Sequence, residues 1–243
     1  MNLFPFKNTW RETILLYRFL RYRKGFGVHS PFAFAFITKV IDENYGYYHY
    51  YDIELIRRQL VHRKNKQVCN DIKRSHGKLL FRTVNYFKPE NLLQIGASAG
   101  ISTLYLSAYS AAVKCISLEK NPECEETIRW SLKKYNNKEV DIRIGDYEKT
   151  LGKALQDLDK VDFVFFNASA EKEKNRLYFE EAMKYIHPDS VFFFEGIRDN
   201  KEMRTLWKEI CEREDVVLTF DLYNVGIVFF NKRLHKKNYI VYF

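Results

Sequence analysis

Beyond Pro89 the chain alternates short, almost wholly apolar runs with longer stretches in which apolar residues recur at helical spacing. The runs at 91–95, 113–118, 140–144, 161–166 and 190–194 have strand length, and the segments between them can hold crossover helices. That alternation predicts βαβ units and a parallel sheet. The pattern changes at the end, where 216–222 and 225–230 are separated only by Tyr223-Asn224. Two residues cannot form a crossover, so a terminal antiparallel hairpin is expected. Before Pro89 the texture is helical, over 10–22, 32–41, 52–60 and 77–87, with 61–74 read as a polar loop. Gly25-Phe26-Gly27 stops the first helix; Ser30 as N-cap with Pro31 at the first helical position starts the second. The expected fold is α/β: a seven-stranded, mostly parallel sheet with a C-terminal antiparallel hairpin, preceded by an N-terminal helical segment. Residues 1–88 form the helical segment in this division and 89–243 the sheet domain.

Composition narrows this picture. With 243 residues, 46% apolar and 16% aromatic, the chain is large enough for one principal core and far from the composition of disordered proteins. It has no apolar run approaching the roughly 20 residues of a membrane-spanning helix and no signal-peptide pattern, so a cytoplasmic protein is expected. Cys69, Cys115, Cys124 and Cys211 lack zinc-ligand spacing and are read as small hydrophobes. The net charge of +9 is unevenly placed: residues 1–90 hold 17 basic against 7 acidic side chains, the remainder 23 against 24. The clusters Arg18, Arg21, Arg23 and Lys24, Arg57, Arg58, Arg63, Lys64 and Lys66, and Lys73, Arg74 and Lys78 suit either a solvated helix surface or contact with nucleic acid such as RNA, anionic lipid or an acidic protein.

The most informative stretch is 92–103, an apolar strand running through Gln94 into the small-residue loop Gly96-Ala97-Ser98-Ala99-Gly100 and then Ile101-Ser102-Thr103. Ligands of open parallel sheets bind at the carboxyl ends of strands, where glycines let them approach the backbone. The spacing is neither GxGxxG nor a P-loop, which points to a ligand without phosphates. Glu119, at the tip of the next strand, is placed to accept hydrogen bonds from both ribose hydroxyls of an adenosine. Asp146, after Gly145 and strand three, can accept from an adenine amino group.

On these residues the sequence resembles class I S-adenosylmethionine-dependent methyltransferases, specifically the O-methyltransferase-like branch. Further likeness lies in 161–166, in Phe194-Glu195-Gly196-Ile197 with Glu202, Met203 and Trp207, in the terminal hairpin, and in Gly27-Val28-His29-Ser30-Pro31-Phe32. The resemblance implies a Rossmann-like sheet and S-adenosyl-L-methionine as cofactor. It implies that Gly96 and Ser98 border the methionine part and Glu119 the ribose, with Gln94, Ala97, Gly100, Ser102, Asp146 and Asn167 completing the cofactor site.

The chain departs from the branch at several of these positions. Gln94 stands where an acidic residue helps neutralise the cofactor's ammonium group, a loss of charge worth about tenfold in affinity if uncompensated. Asn167 and Ala170 replace an Asp and a His, and Glu195-Gly196 replaces paired acids, so no catalytic metal is expected. Glu195 and Asp199 are the candidate bases for an oxygen or nitrogen acceptor. His29 is read as a structural histidine at the Ser30 helix start. The alternative function is a catalytically weakened protein on this scaffold, contacting RNA through its basic segment. The acceptor, small molecule or macromolecule, is not specified, and a homodimer is compatible with this reading.

Overall fold

Strands form where successive residues are apolar on both faces. In this computed structural model, which describes residues 6–63, 71–136, 140–167 and 174–243, β1 (Asn91–Ile95), β2 (Lys114–Glu119), β3 (Val140–Ile144), β4 (Val161–Asn167) and β5 (Ile186–Glu195) pair in parallel. The chain then turns back: β7 (Val225–Phe229) lies between β5 and β6 (Leu218–Asp221), antiparallel to both. The hairpin expected from Tyr223-Asn224 is therefore present. An eighth strand was not foreseen. β8 (Lys237–Ile240) pairs parallel with β6 and completes the order β3-β2-β1-β4-β5-β7-β6-β8. Its mostly exposed sequence suits an edge and carries no apolar alternation by which a strand is recognised.

The pleat divides each strand between two cores. Leu92, Cys115, Phe163, Phe165, Phe193 and Phe220 point to one face, and Leu93, Ile116, Val164, Phe166, Phe192 and Val228 to the other. The second face is covered by α7 (Tyr147–Leu158), α8 (Asn175–Met183) and α9 (Lys201–Glu212). The first is covered by α5 (Ile101–Ser107) and α6 (Glu125–Lys134), together with three N-terminal helices, α2 (Pro31–Phe36), α3 (Tyr48–His62) and α4 (Arg74–Phe87). Phe36 sets its ring 4.9 Å from Phe220 and 5.4 Å from Phe229, so the helical segment shares the core of the sheet. Of the five tyrosines between 45 and 51, Tyr50 is buried against Phe81 and Tyr47 packs beside it, whereas Tyr45, Tyr48 and Tyr51 are exposed.

Local signals explain the N-terminal connections. Ser30 caps α2 by accepting the Ala33 N–H. The expected helix over 32–41 is realised as α2 followed by a π-helical turn, Ile37–Ile41, whose last carbonyls are closed by the buried Arg82. Gly77 lets α4 approach α5, since a methyl group there would meet the Tyr105 ring at 2.4 Å. Before these helices, α1 (Phe6–Arg21) anchors through Arg18, whose guanidinium pairs with Asp221 at 2.9 Å. Among the described residues no helix is long and apolar enough to cross a membrane.

Candidate functional site

The loop between β1 and α5 turns through Gly96 at φ 92°, Ser98 at φ 53° and Gly100 at φ 84°. Two of these left-handed positions are glycines, as the geometry favours, and at Gly100 a side chain would also press on the Ile128 backbone at 3.3 Å. Ser98 holds the third at some conformational cost, and Glu119 holds it there. The Glu119 carboxylate accepts the Ser98 N–H at 2.7 Å through one oxygen and the Asn121 N–H at 2.9 Å through the other. It is buried at the tip of β2. An ionised carboxylate has about four acceptor positions, so among the described residues two remain for a ligand.

The same loop is held from below and from the side. Gln94 is fully buried; its amide donates to the Gly96 carbonyl at 3.0 Å and the Ser102 hydroxyl at 2.9 Å, and its oxygen accepts from Ser117. The expected acceptor for an ammonium group is thus engaged by the sheet. Asp71, in the stretch read as a polar loop, accepts from Ala99 and Ile101 through one oxygen, at 3.1 and 2.9 Å. Its other oxygen takes the Ser102 and Ile72 N–H groups at 3.0 and 2.7 Å. Burial pushes the Asp71 carboxyl above its ordinary range, against the pull of Arg57 and of these N–H donors. Sequence reasoning missed Asp71 because its partners lie about 30 residues away.

At the strand exits the polar atoms are less fully engaged. Asp146 precedes α7 without capping it, and its Oδ1 is buried with no partner among the described residues. Asn167, the buried end of β4, stands opposite Glu195 in the β4–β5 register. Glu195 Oε1 lies 2.7 Å from His76 Nδ1 on α4, while Glu195 Oε2 is buried and unpartnered among the described residues. His76 is mostly buried, and its ring lies 6.0 Å from that of Phe243. Nothing local in Ser75-His76-Gly77 marks it; only the packing of α4 over the strand ends makes the pair.

Asp199 lies elsewhere. It is exposed, four residues past β5, beside a group of arginines. His29 is exposed with no hydrogen-bond partner among the described residues, so it does not brace the Ser30 helix start as expected. Ala170, Lys64, Lys66 and Cys69 fall outside the described residues. Of the basic clusters, Arg57 is paired with Glu54 and Arg63 sits 4.5 Å over the Trp130 ring. Among the described residues no group of three or more His, Cys, Asp or Glu gathers as metal ligands.

Comparison with known proteins bears on this site. A family model for a methyltransferase domain matches residues 93–197, which run from β1 through Glu195. No curated protein matches the chain. Among solved structures, an O-methyltransferase from Bacillus cereus in complex with SAH is 22% identical, with 74% of this chain and 90% of that one covered at a TM-score of 0.62. A SAH-bound methyltransferase from Podospora anserina is 15% identical, with 96% and 100% covered at 0.64. The SAM-bound O-methyltransferase TomG from Streptomyces achromogenes is 17% identical, with 74% and 89% covered at 0.61.

Proposed function

We propose that this chain, whose residues 93–197 match a family model for a methyltransferase domain, transfers a methyl group from S-adenosylmethionine to an oxygen or nitrogen acceptor without a catalytic metal. One observation carries the reading: Glu119 closes the glycine loop through Ser98 and still has acceptor positions to spare at the tip of β2. The residues present fit the cofactor. Glu119 would take the ribose hydroxyls, the orphaned Asp146 Oδ1 the adenine amino group, and Ser102, which accepts from Gln94, retains its hydroxyl proton for the methionine carboxylate. Gln94 acts by fixing Gly96 and Ser102, and Asn167 borders the same cleft.

The cofactor supplies a methyl group on a sulfonium, open to in-line attack by a lone pair. The chain has then to align the acceptor, exclude water and take a proton. His76, held through Nδ1 by Glu195, is positioned to take that proton at Nε2, which makes no hydrogen bond among the described residues. The carboxylate fixes the tautomer and stabilises the imidazolium that forms. A neutral Asn167 beside a carboxylate already engaged by histidine is a poor oxygen cage for magnesium, which supports the metal-free reading.

Calorimetric titration with S-adenosylmethionine and S-adenosylhomocysteine tests this. Micromolar binding that Glu119→Ala abolishes is expected. No binding at millimolar cofactor would leave only a methyltransferase scaffold.

A further inference from the structure

Three residues beyond Glu195 the chain enters a cavity of about 670 Å³ formed by the β5 exit, the β6–β7 turn and α1. Its walls carry four guanidinium groups, from Arg11, Arg18, Arg198 and Arg204, with Asp199 and the Tyr223 ring among them. Asp221, behind the cavity, is engaged by two of the four. It pairs with Arg18 at 2.9 Å and with Arg198 at 2.6 Å, and it also accepts from the Trp207 indole. Burial raises the Asp221 carboxyl, but its bonds to Arg198 and Arg18 outweigh that and hold it below the ordinary range. The other two guanidiniums have no such partner: among the described residues no carboxylate forms an ion pair with Arg11 or Arg204.

The lining is therefore unbalanced, with four fixed positive charges against two carboxylates. Arg11, Arg18 and Arg198 also crowd one aromatic ring, at 5.8, 5.4 and 5.2 Å from the centre of Tyr223. Mutual repulsion among them is relieved by an anion lying between them, and a guanidinium fork suits the oxygens of a phosphate in particular. Position links this cavity to the reaction. Glu195, Gly196, Ile197 and Arg198 are consecutive, Ile197 is pinned to the turn through the Asn224 carbonyl, and Arg198 donates to the Tyr223 carbonyl. Three residues span at most about 10 Å, the length of a small phosphorylated metabolite.

We propose that the arginine cavity beside Tyr223 binds the phosphate group of a small-molecule methyl acceptor, anchoring it while its nucleophile reaches His76 and Glu195. The acceptor class rests on the methyltransferase reading; the anion site itself does not.

The test uses the full chain with inorganic phosphate and phenyl phosphate as probes, and S-adenosylmethionine titrated separately. Phenyl phosphate is expected to bind with a millimolar or better dissociation constant at low salt. The double variant Arg11→Gln/Arg204→Gln, which breaks no ion pair among the described residues, should weaken it by roughly tenfold while leaving cofactor affinity unchanged. Tyr223→Leu should weaken phenyl phosphate more than inorganic phosphate. Cofactor binding without phosphate binding, or phosphate binding that ignores the double variant, would overturn the anion site and leave the methyltransferase reading standing. Arginine-dependent phosphate binding in a protein that does not bind cofactor would support the site and sink the transfer reaction. An RNA oligonucleotide that binds through these arginines far more tightly than phenyl phosphate, with steep salt dependence, would overturn the small-molecule assignment.

Discussion

Two histidine–carboxylate pairs sit at opposite ends of the sheet with the same 2.7 Å separation, yet their surroundings differ. At the amino ends of the strands, His187 Nε2 meets Asp162 Oδ1, while Asp162 Oδ2 takes the N–H groups of Glu90 and Asn91 at 2.7 and 2.8 Å. His187 Nδ1 accepts from Asp189. Each of those nitrogens and oxygens has a partner, and the pair ties the entry of β1 to β4 and β5. At the carboxyl ends, His76 meets Glu195, but Glu195 Oε2 has no partner among the described residues and neither does His76 Nε2. An unmet buried acceptor costs about 1–3 kcal/mol. A fold keeps such a group only where packing imposes it or a ligand completes it. The lesson is that chemical identity and distance do not separate a brace from a reactive pair; the atoms left over do.

The largest expected effect breaks the upper pair. His76→Gln should slow methyl transfer, to whichever acceptor the wild type uses, by about 10²–10⁴-fold, with cofactor affinity within a factor of two or so. Equal losses in transfer and in cofactor binding would reduce His76 to packing. The matching change below, Asp162→Ala, strands two backbone N–H groups and a histidine. It should lower unfolding free energy in urea by about 2–4 kcal/mol and leave the transfer rate of the folded protein unaltered. Glu195→Gln keeps an acceptor for His76 but removes the charge that stabilises an imidazolium, so a loss of about 10–100-fold in transfer is expected, steepest where proton removal limits the rate.

The smallest effect sharpens the contrast with a third carboxylate held by arginine. Asp221 sits below its ordinary value of 3.8 because Arg18 and Arg198 overcome its burial. For a carboxyl depressed in the folded state, the stabilisation is complete above the unfolded value and is lost as pH falls through the folded one. Acid unfolding should therefore steepen below about pH 4. In Asp221→Asn this part of the acid limb should flatten, as followed by circular dichroism.

Much of the sheet was legible because a parallel strand advertises itself: both faces are buried, so the run is almost wholly apolar, as in Phe163-Val164-Phe165-Phe166 of β4. Gly96, Gly100 and Glu119 were legible because the chemistry of a strand tip is local. β8 was not, since an edge strand of Lys, Asn and Tyr resembles a loop. His76 and Asp71 were hidden for a different reason: each acquires its role from a partner about 30 to 120 residues distant, through the docking of a helical segment that periodicity places on no particular face. The four arginines were visible only as separate charges until α1 and the β6–β7 turn met.

The glycine loop carries one more consequence. From Gly96 to Ser102, the amides of Gly96, Ser98, Ala99, Gly100, Ile101 and Ser102 are already hydrogen-bonded within the protein. An incoming nucleoside then finds a mould that is set in advance, so little freedom is surrendered on its arrival. Deuterium uptake along this stretch should be slow in the free protein and almost indifferent to saturation with ligand.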